Sequence, residues 1–296
     1  MSLILGRVAQ LDPSMVNTNT TFLTSYKGEE EKYNSALEDS DKRRILELNG
    51  HIPNNMSYRV NNYGFRGDDW DIGTDCDVTM GNSNTWGGGN YEENIYPTLI
   101  AKETGRTVYN LGYPAGTADG VFRYAVYWLP ILKPKIVYTL FPSPKRSELI
   151  RVHKETGELY HSHWSWGERN RNVRKDVWIA KEPYYWEWFS NDANSLLNNL
   201  KNMLALREIC DNIGAELRLS RSNYITIADL PEEYQQQSTY EIQDGHWPIG
   251  DIGRDFKHRG KLFHKLITER LLSTNDYDTE VNTLTEKIYG TETLSK

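Results

Sequence analysis

The sequence predicts an α/β fold built around a parallel sheet. From Asp75 onward, short apolar runs alternate with segments of helical periodicity, which is the pattern of strands joined by helical crossovers. The third run is bounded by Pro134 and Pro142, and proline is typical of strand ends. The predicted strands are Cys76 to Met80, Thr107 to Leu111, Lys135 to Phe141 and Glu216 to Leu219.

Four helices are predicted between and after these strands. In the first, the apolar residues Ile95, Leu99 and Ile100 share one face. The third is expected to end at Gly214, because glycine readily adopts the left-handed conformation of a helix C-terminus. The predicted helices are 91–104, 118–128, 193–212 and 258–272.

The length of 296 residues fits one large domain with additions. Residues 1–70 show little periodicity and are predicted to be an irregular N-terminal extension. Residues 71–273 form the α/β domain, and within them residues 150–190 are an aromatic-rich insertion that includes Trp164 and Trp166. Residues 274–296 are polar and are predicted to be a peripheral C-terminal tail.

Composition argues against several classes of partner. The net charge of −7 gives no overall positive field for nucleic acid. The longest apolar stretch, 124–132, is far shorter than the ~20 residues of a membrane helix. Because no signal peptide is recognised, the sequence predicts a soluble protein that is cytoplasmic by default. With only two cysteines, Cys76 and Cys210, we expect buried thiols rather than a disulfide framework.

The first candidate site is the segment MGNSNTWG, residues 80–87, directly after a predicted strand and before a helix. Ser83 would therefore lie at the carboxyl edge of the sheet, near helical N–H groups that can hold an oxyanion. Taken alone, a Gly-Asn-Ser sequence is usually only a turn.

The second candidate site is the segment DFKH, residues 255–258, ahead of an amphipathic helix. A serine hydroxyl needs a base, and the imidazole base needs a carboxylate to fix its tautomer. Asp255 and His258 can supply both groups from one loop. An N-capping aspartate beside a surface histidine is the structural alternative for the same residues. Asp244 with His246 is a rival pair, but no helix of the expected spacing follows it. His161 and His163 lack a nearby third metal ligand, so we predict no metal site.

Together these motifs resemble the signature blocks of the SGNH (GDSL-like) hydrolases. The segment GNS, 81–83, is similar to the first block, and VYNLGYPAGT, 108–117, to the second. Asp255 and His258, with His264 six residues later, resemble the last block, and NNYGFRG, 61–67, resembles an element upstream of the nucleophile strand. The resemblance spans residues 61–272 without the insertion and implies a flavodoxin-like, three-layer α/β/α sandwich.

The resemblance also implies a chemistry and a set of site residues. Ser83 would attack an ester, His258 would act as general base, and Asp255 would orient His258. The N–H groups of Ser83 and Gly116, with Ala115, Ser143 or Arg146 as further candidates, would form the oxyanion hole. No cofactor is implied, and the expected substrate is a small-molecule or polysaccharide ester, above all a carbohydrate O-acetyl ester. The expected substrate contacts are Asn82, Trp86, Asn110, Arg146, Trp164 and Trp166.

Two departures from the family pattern leave alternatives open. Asn82 replaces the usual aspartate, and the third block is missing, since residues 140–148 read LFPSPKRSE. Loss of the oxyanion donor of that block costs on the order of 2.7–4 kcal/mol in the transition state. The alternatives are a catalytically weakened carbohydrate-binding or structural protein, and an acyltransferase. The sequence leaves the oligomeric state undetermined and a phage or virion-associated origin open.

Overall fold

The computed structural model describes residues 21–23, 29–53, 56–114, 116–144, 146–152, 159–165, 192–242 and 245–290. The described strands are β1 (Thr21–Leu23), β2 (Tyr58–Val60), β3 (Cys76–Gly81), β4 (Thr107–Gly112), β5 (Ile136–Leu140), β6 (Arg146–Val152), β7 (Leu159–Ser165), β8 (Glu216–Ser220), β9 (Thr239–Ile242) and β10 (Gly245–Pro248). The centre is a four-stranded parallel sheet of order β4-β3-β5-β8, and the other strands form the antiparallel pairs β1-β2, β6-β7 and β9-β10.

Helices cover both faces of this sheet. The described α-helices are α1 (Glu29–Glu38), α2 (Ser40–Leu48), α3 (Ser83–Trp86), α4 (Tyr96–Thr104), α5 (Ala118–Leu132), α6 (Asp192–Ile213), α7 (Glu232–Gln235), α8 (Lys261–Ser273) and α9 (Tyr277–Tyr289). Apolar side chains of α5, α6 and α9 form one core with Val78 and Leu219 of the sheet. Side chains of α4 and α8 form a second core with Tyr138 and Leu140 on the opposite face. Because helices cover both faces, β3 is buried along its whole length and β5 at four of its five residues.

The prediction of a three-layer α/β/α sandwich with a parallel sheet is confirmed. All four predicted strands are present within a residue or two of their expected ends. The first predicted helix begins later, at Tyr96, because Ile95 is extended and Pro97 occupies the first turn of α4. The last predicted helix begins at Lys261 rather than at His258. Asp255 and His258 therefore lie in the loop before α8.

Three predictions about the additions to the domain need correction or restriction. The extension 1–70 is not irregular throughout, because α1 and α2 occupy residues 29–48 and bury Tyr33 and Leu46. Residues 277–289 are not a peripheral tail, because α9 buries Tyr277 and Leu284 in the core beside α6. The insertion, 150–190, begins within the antiparallel β6-β7 pair, and its residues 153–158 and 166–190 lie outside the described residues.

Within the described part of the chain, no helix combines the length and apolar character needed to cross a bilayer. Cys76 and Cys210 are free and buried, as predicted.

Candidate active site

Ser83 opens the short helix α3 at the carboxyl end of β3. Its turn depends on Gly81, where φ is +152° and a Cβ would lie 2.6 Å from the backbone oxygen of Leu140. Asn82 caps α3, and its Oδ1 accepts a hydrogen bond of 2.9 Å from the N–H of Asn84. The neutral amide oxygen thus makes the capping contact that an aspartate could also make. No acceptor is found for the Ser83 N–H among the residues that the structure describes.

Asp255 and His258 form a tight pair in the loop before α8. Asp255 Oδ2 lies 2.6 Å from Nδ1 of His258, and Oδ1 accepts from the N–H groups of Lys257 and His258 at 3.0 and 3.2 Å. Burial alone would raise the pKa of Asp255, but the charge and hydrogen bond of His258 and the two N–H donors outweigh it and hold the pKa well below its usual range. The carboxylate therefore stays ionised and fixes the proton of the imidazole on Nδ1.

A run of three glycines, 87–89, brings this pair against the nucleophile turn. The N–H of Gly88 donates to the carbonyl oxygen of Ser83 at 3.0 Å. A Cβ on Gly88 would lie 2.9 Å from Nδ1 and Cε1 of His258, so the imidazole packs directly on this backbone. A Cβ on Gly89 would lie 2.7 Å from Asp255 Oδ1. The structure thus gathers the three predicted residues at one edge of the sheet, while the hydroxyl-to-imidazole step of the relay stays a prediction.

The second predicted oxyanion donor, Gly116, also borders this turn. A Cβ on Gly116 would lie 2.8 Å from Cα of Asn82, so glycine is needed for the close approach. Its N–H donates to the carbonyl oxygen of Tyr113 at 3.1 Å, and an oxyanion would have to share or replace that bond. Ala115 lies outside the described residues.

Two predicted substrate contacts are instead structural. Trp86 is fully buried, with its ring stacked on Tyr58 at a centroid distance of 4.7 Å, so it cannot reach a ligand in this structure. Asn110 is buried, its Nδ2 donates to the backbone oxygen of Thr85, and its Oδ1 accepts from the N–H of Gly112. Both predictions are corrected because the short helix α3 packs onto β4 and encloses these side chains. Trp164 lies on β7, but neither its side chain nor Trp166 is among the described groups.

Ser143 and Arg146 line a cavity of about 1290 Å³ whose lining includes neither Ser83 nor His258. Phe141 lines this cavity, and the residue before it, Leu140, pairs with Gly81 across the parallel sheet. Its wall carries four basic side chains and one carboxylate, Arg146, Arg221, Arg259, Lys287 and Glu280. Glu148, two residues after Arg146, pairs with Arg123 at 2.8 Å.

The rival His246 is exposed on β10, which pairs with β9, and also lines this cavity. Asp244 lies outside the described residues. Among the described residues, no group of three or more histidine, cysteine, aspartate or glutamate side chains is arranged to hold a metal ion.

Several residues around the site were missed by the sequence analysis. Glu29, Tyr58 and Arg254 form a buried polar cluster beneath the glycine run. The glycine run was a visible signal, whereas nothing local marks Glu29. The sequence analysis named His264 only as part of the last motif, yet its side chain is fully buried. Its Nδ1 accepts from the N–H of Tyr96 at 3.3 Å, and burial with the nearby charges of Arg66 and His258 lowers its pKa to about 3.

The fold is a parallel α/β/α sandwich, with the serine turn after one central strand and the Asp-x-x-His loop before a late helix. No family model matches the chain, and no curated protein matches it.

Three solved structures are similar to it at low sequence identity. One is a proposed lipolytic protein of the G-D-S-L family from Desulfitobacterium hafniense, with 16% identity, a TM-score of 0.37, and coverage of 70% of this chain and 99% of that one. Another is an acetyl xylan esterase from Butyrivibrio proteoclasticus, with 10% identity, a TM-score of 0.34, and coverage of 76% and 66%. A third is a proposed acylhydrolase from Bacteroides fragilis, with 15% identity, a TM-score of 0.28, and coverage of 82% and 96%.

Proposed function

We propose that the protein is a serine ester hydrolase whose nucleophile is Ser83. The observation that carries the proposal is the 2.6 Å Asp255–His258 pair packed against the glycine run that follows Ser83. With its proton fixed on Nδ1, His258 presents Nε2 as the base that takes the hydroxyl proton of Ser83.

The reaction follows from these roles. Ser83 Oγ attacks the ester carbonyl, and the N–H of Ser83 donates a hydrogen bond to the oxyanion of the tetrahedral intermediate. The N–H of Gly116 donates to the same oxyanion while sharing its hydrogen bond with the Tyr113 oxygen. The protonated His258 then donates its proton to the leaving alcohol, and an acyl-enzyme forms. A water molecule, deprotonated by His258, releases the acid and regenerates Ser83.

The proposed substrate class is a carbohydrate O-acetyl ester. The SGNH resemblance and the aromatic-rich insertion support this choice, since aromatic rings stack on sugar faces. Acetate release from acetylated polysaccharide, followed by product analysis with an added acceptor sugar, separates hydrolysis from acyl transfer.

Labelling by a fluorophosphonate tests the nucleophile. We expect the unaltered protein to be labelled and Ser83→Ala to lose the label, because only an activated serine attacks this probe. Ser195→Ala is the matched control, since Ser195 is as buried as Ser83, 6% exposed, but lies on α6. Equal labelling of Ser83→Ala would refute the proposed nucleophile, and an unlabelled native protein would favour the binding or structural alternative.

Arg146 is proposed to bind acidic ester substrates. It forms part of a cavity wall with four basic side chains and one carboxylate, so a carboxylate-bearing ester would find complementary charge there. We expect Arg146→Ala to raise KM for an acidic ester about tenfold, or about 1.4 kcal/mol, with neutral acetyl esters changed less than about twofold. Arg43→Ala, on an exposed part of α2, is the distal control. Loss of roughly 10²-fold in turnover on both ester types would instead assign Arg146 to the oxyanion hole, and unchanged kinetics would leave it without a role.

A further inference from the structure

The buried polar cluster of Glu29, Tyr58 and Arg254 connects the N-terminal helix α1 to the candidate active site. Glu29 begins α1, and its carboxylate accepts hydrogen bonds from Arg254 Nε at 2.7 Å and from the Tyr58 hydroxyl at 2.7 and 2.8 Å. Glu29 is 4% exposed, and Tyr58 and Arg254 are fully buried. A charge pair this deep is costly to break, because removing one partner leaves the other buried and uncompensated.

Tyr58 and Arg254 each form a hydrogen bond with the backbone of Gly89. The Tyr58 hydroxyl accepts a hydrogen bond of 2.9 Å from the N–H of Gly89, and the N–H of Arg254 donates to the Gly89 oxygen at 2.8 Å. Gly89 in turn lies against Asp255, because a Cβ there would be 2.7 Å from Oδ1 of that carboxylate. Glu29 is therefore connected to Asp255 from two sides, along the chain through Arg254 and through space by way of Tyr58.

The segments that hold the Asp255–His258 pair lie outside regular secondary structure. Residues 253–258 lie in neither a helix nor a strand, and Phe256 adopts a left-handed φ of +54° that is rare for a residue with a side chain. The glycine run carries no side chains that could anchor it, and Gly89 itself has a φ of +70°. Fixed external contacts are needed to hold a catalytic pair within a fraction of an ångström.

We propose that Glu29 is a positioning residue for the Asp255–His258 pair, acting through Arg254 and Tyr58. The N-terminal segment that contains α1 and β2 is then part of the active site rather than an addition to the domain. The kinetic consequence rests on the proposed hydrolase function, whereas the geometry of the pair can be tested without any substrate.

The test compares two variants with two matched controls. Tyr58→Phe removes the hydroxyl but keeps the ring against Trp86, and Glu29→Gln removes the charge. Tyr109→Phe is the control for loss of a buried tyrosine hydroxyl, because Tyr109 bonds the backbone of Asp71 away from the site. Asp77→Asn is the control for loss of a buried carboxylate, because Asp77 is fully buried and pairs with Arg106 near the opposite end of β3.

The kinetic measurement is kcat and KM on a small acetyl ester. We expect Tyr58→Phe and Glu29→Gln to lower kcat about tenfold or more with KM changed less than about twofold, because a displaced base affects the chemical step more than binding. The two controls are expected to keep kcat within about twofold while losing comparable thermal stability.

The substrate-free measurement is the downfield proton NMR signal of the His258 Nδ1–H, which a short N–H to carboxylate bond deshields. We expect the signal to broaden or vanish in Tyr58→Phe and Glu29→Gln and to persist in both controls. If Glu29→Gln does not fold, Tyr58→Phe decides. Loss of the signal supports the positioning role even if the native protein hydrolyses no ester. An intact signal with unchanged kcat, at a stability loss equal to that of the controls, would overturn it.

Discussion

His258→Ala is expected to lose ester hydrolysis by a factor on the order of 10⁴ or more in kcat. The variant removes the imidazole that lies 2.6 Å from Asp255 and packs on the glycine run after Ser83. Without a base, the serine hydroxyl keeps its proton and is a poor nucleophile. Initial rates on a p-nitrophenyl acetyl ester measure the loss.

His246→Ala is the matched control for this variant. His246 is exposed on β10 and lines the cavity. We expect its removal to change kcat by less than about threefold, and any larger effect to appear in KM. The reverse pattern, an inactive His246→Ala and an active His258→Ala, would identify His246 rather than His258 as the general base.

Acid is expected to destabilise the protein through His264. Its folded pKa of about 3 lies below the ordinary value of 6.5, so between these values the unfolded chain binds a proton that the folded chain does not. Protons then favour unfolding, and the free energy of unfolding should fall by about 1.4 kcal/mol for each pH unit below about 6.5, until about pH 3. The contribution of His264 is fully present above about pH 6.5.

Denaturant unfolding between pH 7 and 4 measures this slope. His264→Asn is expected to reduce it by about one proton, because the amide oxygen can accept the Tyr96 N–H but does not titrate. His51, whose pKa burial also lowers, leaves a residual slope in the same direction. Equal slopes in the native protein and His264→Asn would show that His264 is not buried as a neutral group.

Local sequence patterns were sufficient for the sheet, whereas the Asp255–His258 pair was expected from the resemblance to the SGNH hydrolases. The strands are apolar runs bounded by turn residues, and the pair lies within one four-residue loop, so both depend on neighbours along the chain. Asn82 was recognised as a departure from the family pattern, but its capping bond to Asn84 appears only in the folded turn.

Contacts between distant segments could not be predicted from local sequence patterns. Trp86 looks like a ligand-binding aromatic next to the nucleophile, and only the packing of α3 against Tyr58 shows that it is buried. The polar helix α9 likewise reads as a tail until its few apolar residues are seen against α6.

The sequence by itself determined the order of the four central strands and of the helices between them, because each is encoded by periodicity along the chain. The serine turn and the acid–histidine loop were expected from the order of short motifs that resemble the SGNH hydrolases. Tertiary structure decided which of these elements meet. Arg254 and Glu29 are separated by 225 positions, and their hydrogen bond beneath the glycine run has no local signature in either segment. Such a pair forms because burying either charge alone is costly, and that cost arises only when the folded core brings α1 against the loop that carries Asp255.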